Sequence, residues 1–168
     1  MAKTVSSLLV KTSDLLDRMI TALVFFIITG MVTATTLQVV FRVFFTALAW
    51  SEEISRYFLV WGTFFAATMA YKRGNHIAIN FFIEALPQKI RFYFSLLIYV
   101  LSLLFFAVIS YYSLVMIKLQ VFQISPALGI PMQFVYMSIP VSLTVMALHA
   151  LGGMAQMLNN KGKKGVAA

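Results

Sequence analysis

The chain has 168 residues, 61% of them hydrophobic and 11% charged, with a mean hydropathy of +0.92, which excludes an ordinary soluble domain. The net charge of +8 does not point to nucleic acid, because its Lys and Arg residues sit in short clusters between apolar runs and not along one polar face. Cysteine is absent, so disulfides, thiolate metal sites and thiol redox chemistry are excluded.

Residues 1–18 carry Lys3, Lys11, Asp14, Asp17 and Arg18 ahead of an apolar run from Met19 to Phe41. That run is too long for a signal-peptide core and lacks a small-residue cleavage site with a polar sequel. It is expected as a first membrane helix, 19–41, that serves as its own insertion signal. Gly30 and Ala34 form a small-residue pair on it, spaced to let another helix approach. Arg42 closes the run, and Val43 to Ala49 is an apolar connector expected at the interface.

The stretch ALAWSEEISRYFLVWGTFFAATMAYKRGNH, which begins Ala47-Leu48-Ala49 and ends at His76, is the most informative. Trp50, Ser51, Glu52, Glu53 and Arg56 form a dense cluster, followed by an uncharged run from Tyr57 to Tyr71 and a basic turn, Lys72-Arg73-Gly74-Asn75-His76. Read as one helix over 51–71, the segment is roughly 30 Å long and crosses a bilayer's hydrocarbon. Its charge-free part alone is too short, so Glu52, Glu53 and Arg56 fall inside or at the edge of the membrane. Ser51 is a plausible N-cap, with both carboxylates in the first turn where the helix dipole favours them. Arg56 follows Glu52 by four residues and Glu53 by three, within reach of either. Gly62, Ala66 and Ala70 form a four-residue small stripe, read as helix packing within the chain or as a docking face for a second protein.

Ile77 to Leu86, ended by Pro87, is too short to span; Asn80, Glu84 and Gln88 recur every four residues, the pattern of a short interfacial helix over 77–86. A third uncharged run, 92–117, spans with tilt, with Tyr93 and Tyr99 near one end and Tyr111 and Tyr112 near the other. The connector Lys118 to Pro131 contains two prolines and a glycine and is expected as ordered loop. The fourth span, 132–158, is expected to kink at Pro140.

The N-terminus, second connector and C-terminus together hold ten Lys and Arg, including Lys72, Arg73, Lys161, Lys163 and Lys164. The other two connectors hold Arg42, Arg56 and Lys118. That asymmetry predicts an all-α integral membrane protein, one domain over 1–168, with four transmembrane helices, an interfacial cytoplasmic helix and both termini cytoplasmic.

The cluster of Arg42, Trp50, Glu52, Glu53 and Arg56 suits three roles: a clasp between the outer ends of the first two helices, a contact with a partner's helices or a lipid headgroup, or an ion or substrate site. The last fits least, since transport sites lie near the midplane. Lys72, Arg73 and His76 read as a cytoplasmic anchor, and His149 as an imidazole bonded to a neighbouring helix or headgroup. Two histidines so placed do not make paired axial haem ligation, and no cofactor or metal site is expected. There is no nucleophile–base pair, no glycine-rich phosphate loop and no mid-membrane carboxylate, so the chain reads as a non-enzymatic subunit of something larger. The alternatives are a stand-alone small homodimeric exporter and a membrane redox or haem protein.

The run from LAWSEEISRYF to KRGNHIAINFF resembles the signature region of the small membrane subunit (DctQ-like) of tripartite ATP-independent periplasmic (TRAP) transporters, and SPALGIPMQFVYMSIPVS (125–142) resembles that family's last connector and fourth helix. The resemblance implies a bacterial inner-membrane protein paired with a large M-type subunit that carries the substrate and sodium sites and moves as an elevator. A periplasmic substrate-binding protein delivers an organic acid, of C4-dicarboxylate or sialic-acid type. The small subunit then extends the static scaffold among membrane lipids. Trp50, Glu52, Glu53 and Arg56 fix the outer end of its second helix, and Lys72, Arg73 and His76 the inner end.

Overall fold

The computed structural model describes residues 2–46, 48–74 and 87–165, with backbone alone at 2–6, 88–89 and 160–165. His76 and the interfacial helix expected over 77–86 lie outside the described residues. The elements are α1 (Ala2–Phe44), α2 (Ala49–Lys72), α3 (Gln88–Leu119), a single turn α4 (Gln133–Tyr136) and α5 (Ser138–Gly165). Among the described residues there is no strand; an isolated antiparallel bridge joins Ile124 and Pro131.

Among the described residues, three stretches are long and apolar enough to cross a membrane: Ser7–Phe44, Ile90–Leu119 and Gln133–Asn159. The second helix, which carries Glu52, Glu53, Arg56 and Lys72 within its 24 residues, is not among them.

The expected first span is part of a longer element. α1 has 43 residues and is about 64 Å long, roughly twice a bilayer core. Residues 2–18 are helical because a stripe continues through them: Ser13, Asp17, Ile20, Val24, Ile27, Gly30 and Ala34 recur at three- and four-residue steps, turned away from solvent. The polar part of α1 thus packs against other helices and does not hang free as a tail.

α1 and α2 run antiparallel, and α5 packs against both. Ile20, Val24 and Ile27 of α1, Phe65 of α2 and Val145 of α5 form one core, edged by Phe58, Trp61 and Met69. Phe106 of α3 meets Leu143, Met146 and Ala150 of α5 in a second, edged by Tyr71, Tyr99 and Leu103. α5 serves both cores and half its apolar stretch is buried, whereas almost none of α3's is. α3 packs on α5 and not on α1. It touches α2 edge-on through Tyr71 and Phe106, whose ring centroids are 5.1 Å apart.

The expected kink is a break between α4 and α5 at Met137, three residues before Pro140. Pro140 has no N–H for the Tyr136 carbonyl, so the ladder slips there and resumes with Val141 N–H donating to Met137 at 3.3 Å. Tyr93, Tyr111 and Tyr112 point outward, but Tyr99, expected among the interfacial aromatics, turns inward and packs on α5.

Candidate functional site

Two polar joints close the ends of the helix assembly. At the first, Glu53 is 8% exposed, and its Oε2 accepts three hydrogen bonds from the α3–α4 loop: Ser125 Oγ at 3.0 Å, Ala127 N–H at 3.2 Å and Leu128 N–H at 2.8 Å. The loop is shaped for this. Pro126 presets its own φ, Gly129 adopts φ +68°, and Gly129 N–H donates to the Ser125 carbonyl at 3.1 Å. That tight turn aims two successive N–H groups at one point. Ser125 also bonds Ile130 through both its backbone N–H and its Oγ. The carboxylate is therefore held by dipoles, the arrangement that makes a buried charge tolerable without a counter-ion.

The expected pairing of Arg56 with either glutamate resolves to one of them. Arg56 donates to Glu52 at 2.9 Å in an ion pair whose side chains are 66% and 63% exposed. Residues 52 and 53 differ by about 100° around the helix, so one faces out and its neighbour faces in. Trp50 is exposed, and so is Arg42, which has no ion pair among the described residues. Arg42 and Trp50 therefore do not join the Glu53 joint.

Ser51 is not the N-cap. Leu48 holds that position, and Ser51, fully buried, donates its hydroxyl to the Leu48 carbonyl at 2.9 Å. The connector is shorter than expected because Ala49 and Trp50 continue the helix. Beside this turn, Thr35 Oγ1 of α1 lies 3.3 Å from Ser55 Oγ of α2.

The second joint lies at the other end. Lys72 donates to Asp14 Oδ1 at 2.8 Å and to the Ser13 carbonyl at 2.7 Å. Arg73 donates to Thr21 Oγ1 at 3.0 Å and stands 3.7 Å from Asp17 Oδ2. Ser13 Oγ and His149 Nδ1 are 2.7 Å apart, so Ser13 links α1 to both α2 and α5. Lys72 and Arg73, expected with His76 as an anchor to the cytoplasmic face, are engaged with Asp14 and Asp17 of α1. Sequence reasoning misses those partners because residues 1–18 look separate from the apolar run whose helix they extend.

The four-residue stripe on α2 does not form one packing face within the chain. Gly62 is buried, and a Cβ there would sit 3.2 Å from Ile27 Cγ2; Ala66 and Ala70 are exposed. Each four-residue step rotates the position by about 40°, so two steps leave the interface. Gly30 is the matching small residue on α1, where a Cβ would come 2.9 Å from the Phe58 ring. On the outer side of this contact, Thr35, Thr36, Leu59 and the Glu52–Arg56 pair line an open groove of about 520 Å³ between α1 and α2.

Comparison with known proteins bears directly on this arrangement. The family described as "Tripartite ATP-independent periplasmic transporters, DctQ component" matches residues 31–160. The chain belongs to that family. The DctQ match takes in both Glu53 and the loop that holds it, along with Lys72, Arg73 and His149. Among relatives, an isethionate TRAP transporter permease protein DctMQ of Oleidesulfovibrio alaskensis is 31% identical over 111 residues, 65% of this chain and 18% of that protein. This chain thus spans less than a fifth of that relative's length. A putative TRAP transporter small permease protein of Haemophilus influenzae is 28% identical over 133 residues, 79% of this chain and 81% of the relative. TRAP permeases are transporters, and with its three apolar helices this DctQ protein is a multi-pass membrane protein.

Proposed function

We propose that this chain is the non-catalytic small subunit of a sodium-coupled TRAP transporter in a bacterial inner membrane, forming a fixed scaffold beside a large M-type subunit. A periplasmic binding protein supplies the substrate, an organic acid of C4-dicarboxylate or sialic-acid type. The relative named for isethionate supports a small organic anion as the substrate. The same relative supports the pairing, since a DctQ-like part occupies 18% of a longer permease whose name joins M and Q.

One observation carries the scaffold reading. The polar groups buried between helices concentrate at the two ends, where they tie α1, α2, α5 and the α3–α4 loop together. Between them lies a tightly packed apolar middle of Ile20, Val24, Ile27, Phe65 and Val145. A helix set joined at both ends and packed in the middle resists sliding, as a counterpart to a moving carrier must.

In this reading α2 also crosses the membrane, which brings the spans to four. At 24 residues it is about 36 Å long, and its charges fall at its two ends. The ten-to-three distribution of Lys and Arg supports a cytoplasmic Lys72 end and cytoplasmic termini. The outward groove with its exposed Glu52–Arg56 pair is the face offered to the large subunit or to lipid headgroups.

The test is purification of the tagged chain in mild detergent from cells that also express the neighbouring large permease. A stable complex is expected, and the chain alone in liposomes is expected to move no organic acid. Uptake by the chain alone contradicts the proposal.

A further inference from the structure

A cavity of about 250 Å³ opens at the Lys72 end, between α1, α2, α3 and α5. One water needs only ~15 Å³ of such space, so a single solvent molecule does not fill it. Its wall carries polar groups from all four helices: Ser13 and Asp14, Lys72, Ser95 and Tyr99, and His149. His149 is 5% exposed; its Nδ1 is satisfied by Ser13, while its Nε2, like Asp17 Oδ1 of α1, is buried without a hydrogen-bond partner among the described residues. Buried polar atoms are rarely left so, and each asks for a ligand or solvent. When the Ser13 hydroxyl donates to Nδ1, the ring proton sits on Nε2, which is then a donor.

The Lys72 ammonium has three N–H bonds, of which Asp14 and the Ser13 carbonyl take two. The Tyr99 hydroxyl is placed by Gly153, where an added Cβ would lie 2.6 Å from the phenolic oxygen. A glycine there is what lets the ring lie against α5 with its hydroxyl at the cavity wall.

We propose that this cavity binds a phosphate group, with Lys72, His149 and Tyr99 as its donors. Donors carried on three separate helices suit a tetrahedral oxyanion, which accepts in several directions, better than a flat carboxylate. Asp14 offsets part of the Lys72 charge, which favours a singly charged phosphodiester over a more highly charged ion. The group comes from a lipid headgroup or from free phosphate, which present the same oxygens. This inference is independent of the scaffold reading.

The test uses the full chain in detergent with ¹⁵N-labelled histidine, its two imidazoles assigned through His76→Gln. Inorganic phosphate and a short-chain phosphatidylglycerol are titrated separately, with the matching diacylglycerol as the phosphate-free control. The His149 ring signals are expected to shift with at least one phosphate source and not with the control. A shift with the lipid alone identifies a headgroup, a shift with inorganic phosphate alone identifies a soluble ion, and both together identify the shared group. Tyr99→Phe, which keeps the ring on Gly153, is expected to weaken binding about tenfold, and Lys72→Met by at least as much. No shift from either source, an equal shift from the control, or undiminished affinity in Tyr99→Phe overturns the proposal.

Discussion

The Glu53 carboxylate lies 2.8 Å from the backbone N–H of Leu128, seventy-five residues away in sequence, and this contact ties the start of α2 to the loop between α3 and α4. The same oxygen also collects Ser125 and Ala127, so one side chain fixes a whole turn. Arg56, the cation nearest in sequence, takes no part.

Glu53→Ala is therefore expected to strip the turn of its acceptor and strand two backbone donors, at about 3 kcal/mol. Glu53→Gln keeps an acceptor but loses the charge, and should fall between mutant and wild type. Thermal unfolding in detergent ranks the three.

Arg56→Ala should behave in the opposite way. The Glu52–Arg56 pair is mostly exposed, and pairs of that kind contribute under about 1 kcal/mol to the chain's own stability. Its loss is expected to weaken recovery of the large subunit on co-purification while substrate affinity of the assembled complex stays unchanged. A changed affinity in a normally assembled complex argues against a scaffold role for this face.

At the other end, Lys72 and Asp14 form a joint that is half open to solvent. A double-mutant cycle with Lys72→Met and Asp14→Asn should give a coupling of about 0.5–1 kcal/mol after allowance for screening. Independent effects of the two substitutions would remove this pair from the list of joints.

Leucine scanning separates the two halves of the small-residue stripe. Gly30→Leu drives a side chain into the Phe58 ring and is expected to cost about 1–3 kcal/mol by spreading α1 from α2. Ala66→Leu, on the exposed side, should leave the isolated chain's stability within about 0.5 kcal/mol of wild type. Equal costs at both positions would restore the single packing face expected from sequence.

Helix existence was legible because apolar run length is dictated by the bilayer, and the loop over 120–132 because Pro126, Gly129 and Pro131 forbid regular helix. What could not be read was direction. Glu52 and Glu53 are adjacent and chemically equivalent, and only the placement of the Ser125–Gly129 turn decides which one faces in. A Ser-Pro-x-x-Gly turn, with two N–H groups free at its apex, was the available signal for the missing partner. Likewise Asp14 and Asp17 looked like tail residues until the apolar stripe of α1 was followed back through Ser13. Ala66 and Ala70 misled because a four-residue repeat drifts around a 3.6-residue helix.

The claim that this subunit stays still during transport has a direct test. The chain has no cysteine, so Thr35→Cys with Ser55→Cys introduces a single clean pair at positions whose side-chain oxygens lie 3.3 Å apart. Uptake is then measured in liposomes containing the assembled transporter, oxidised and reduced. A rigid scaffold predicts the same rate in both states. A rate that collapses on oxidation and returns with reductant contradicts it, because α1 and α2 would then have to separate for substrate to cross.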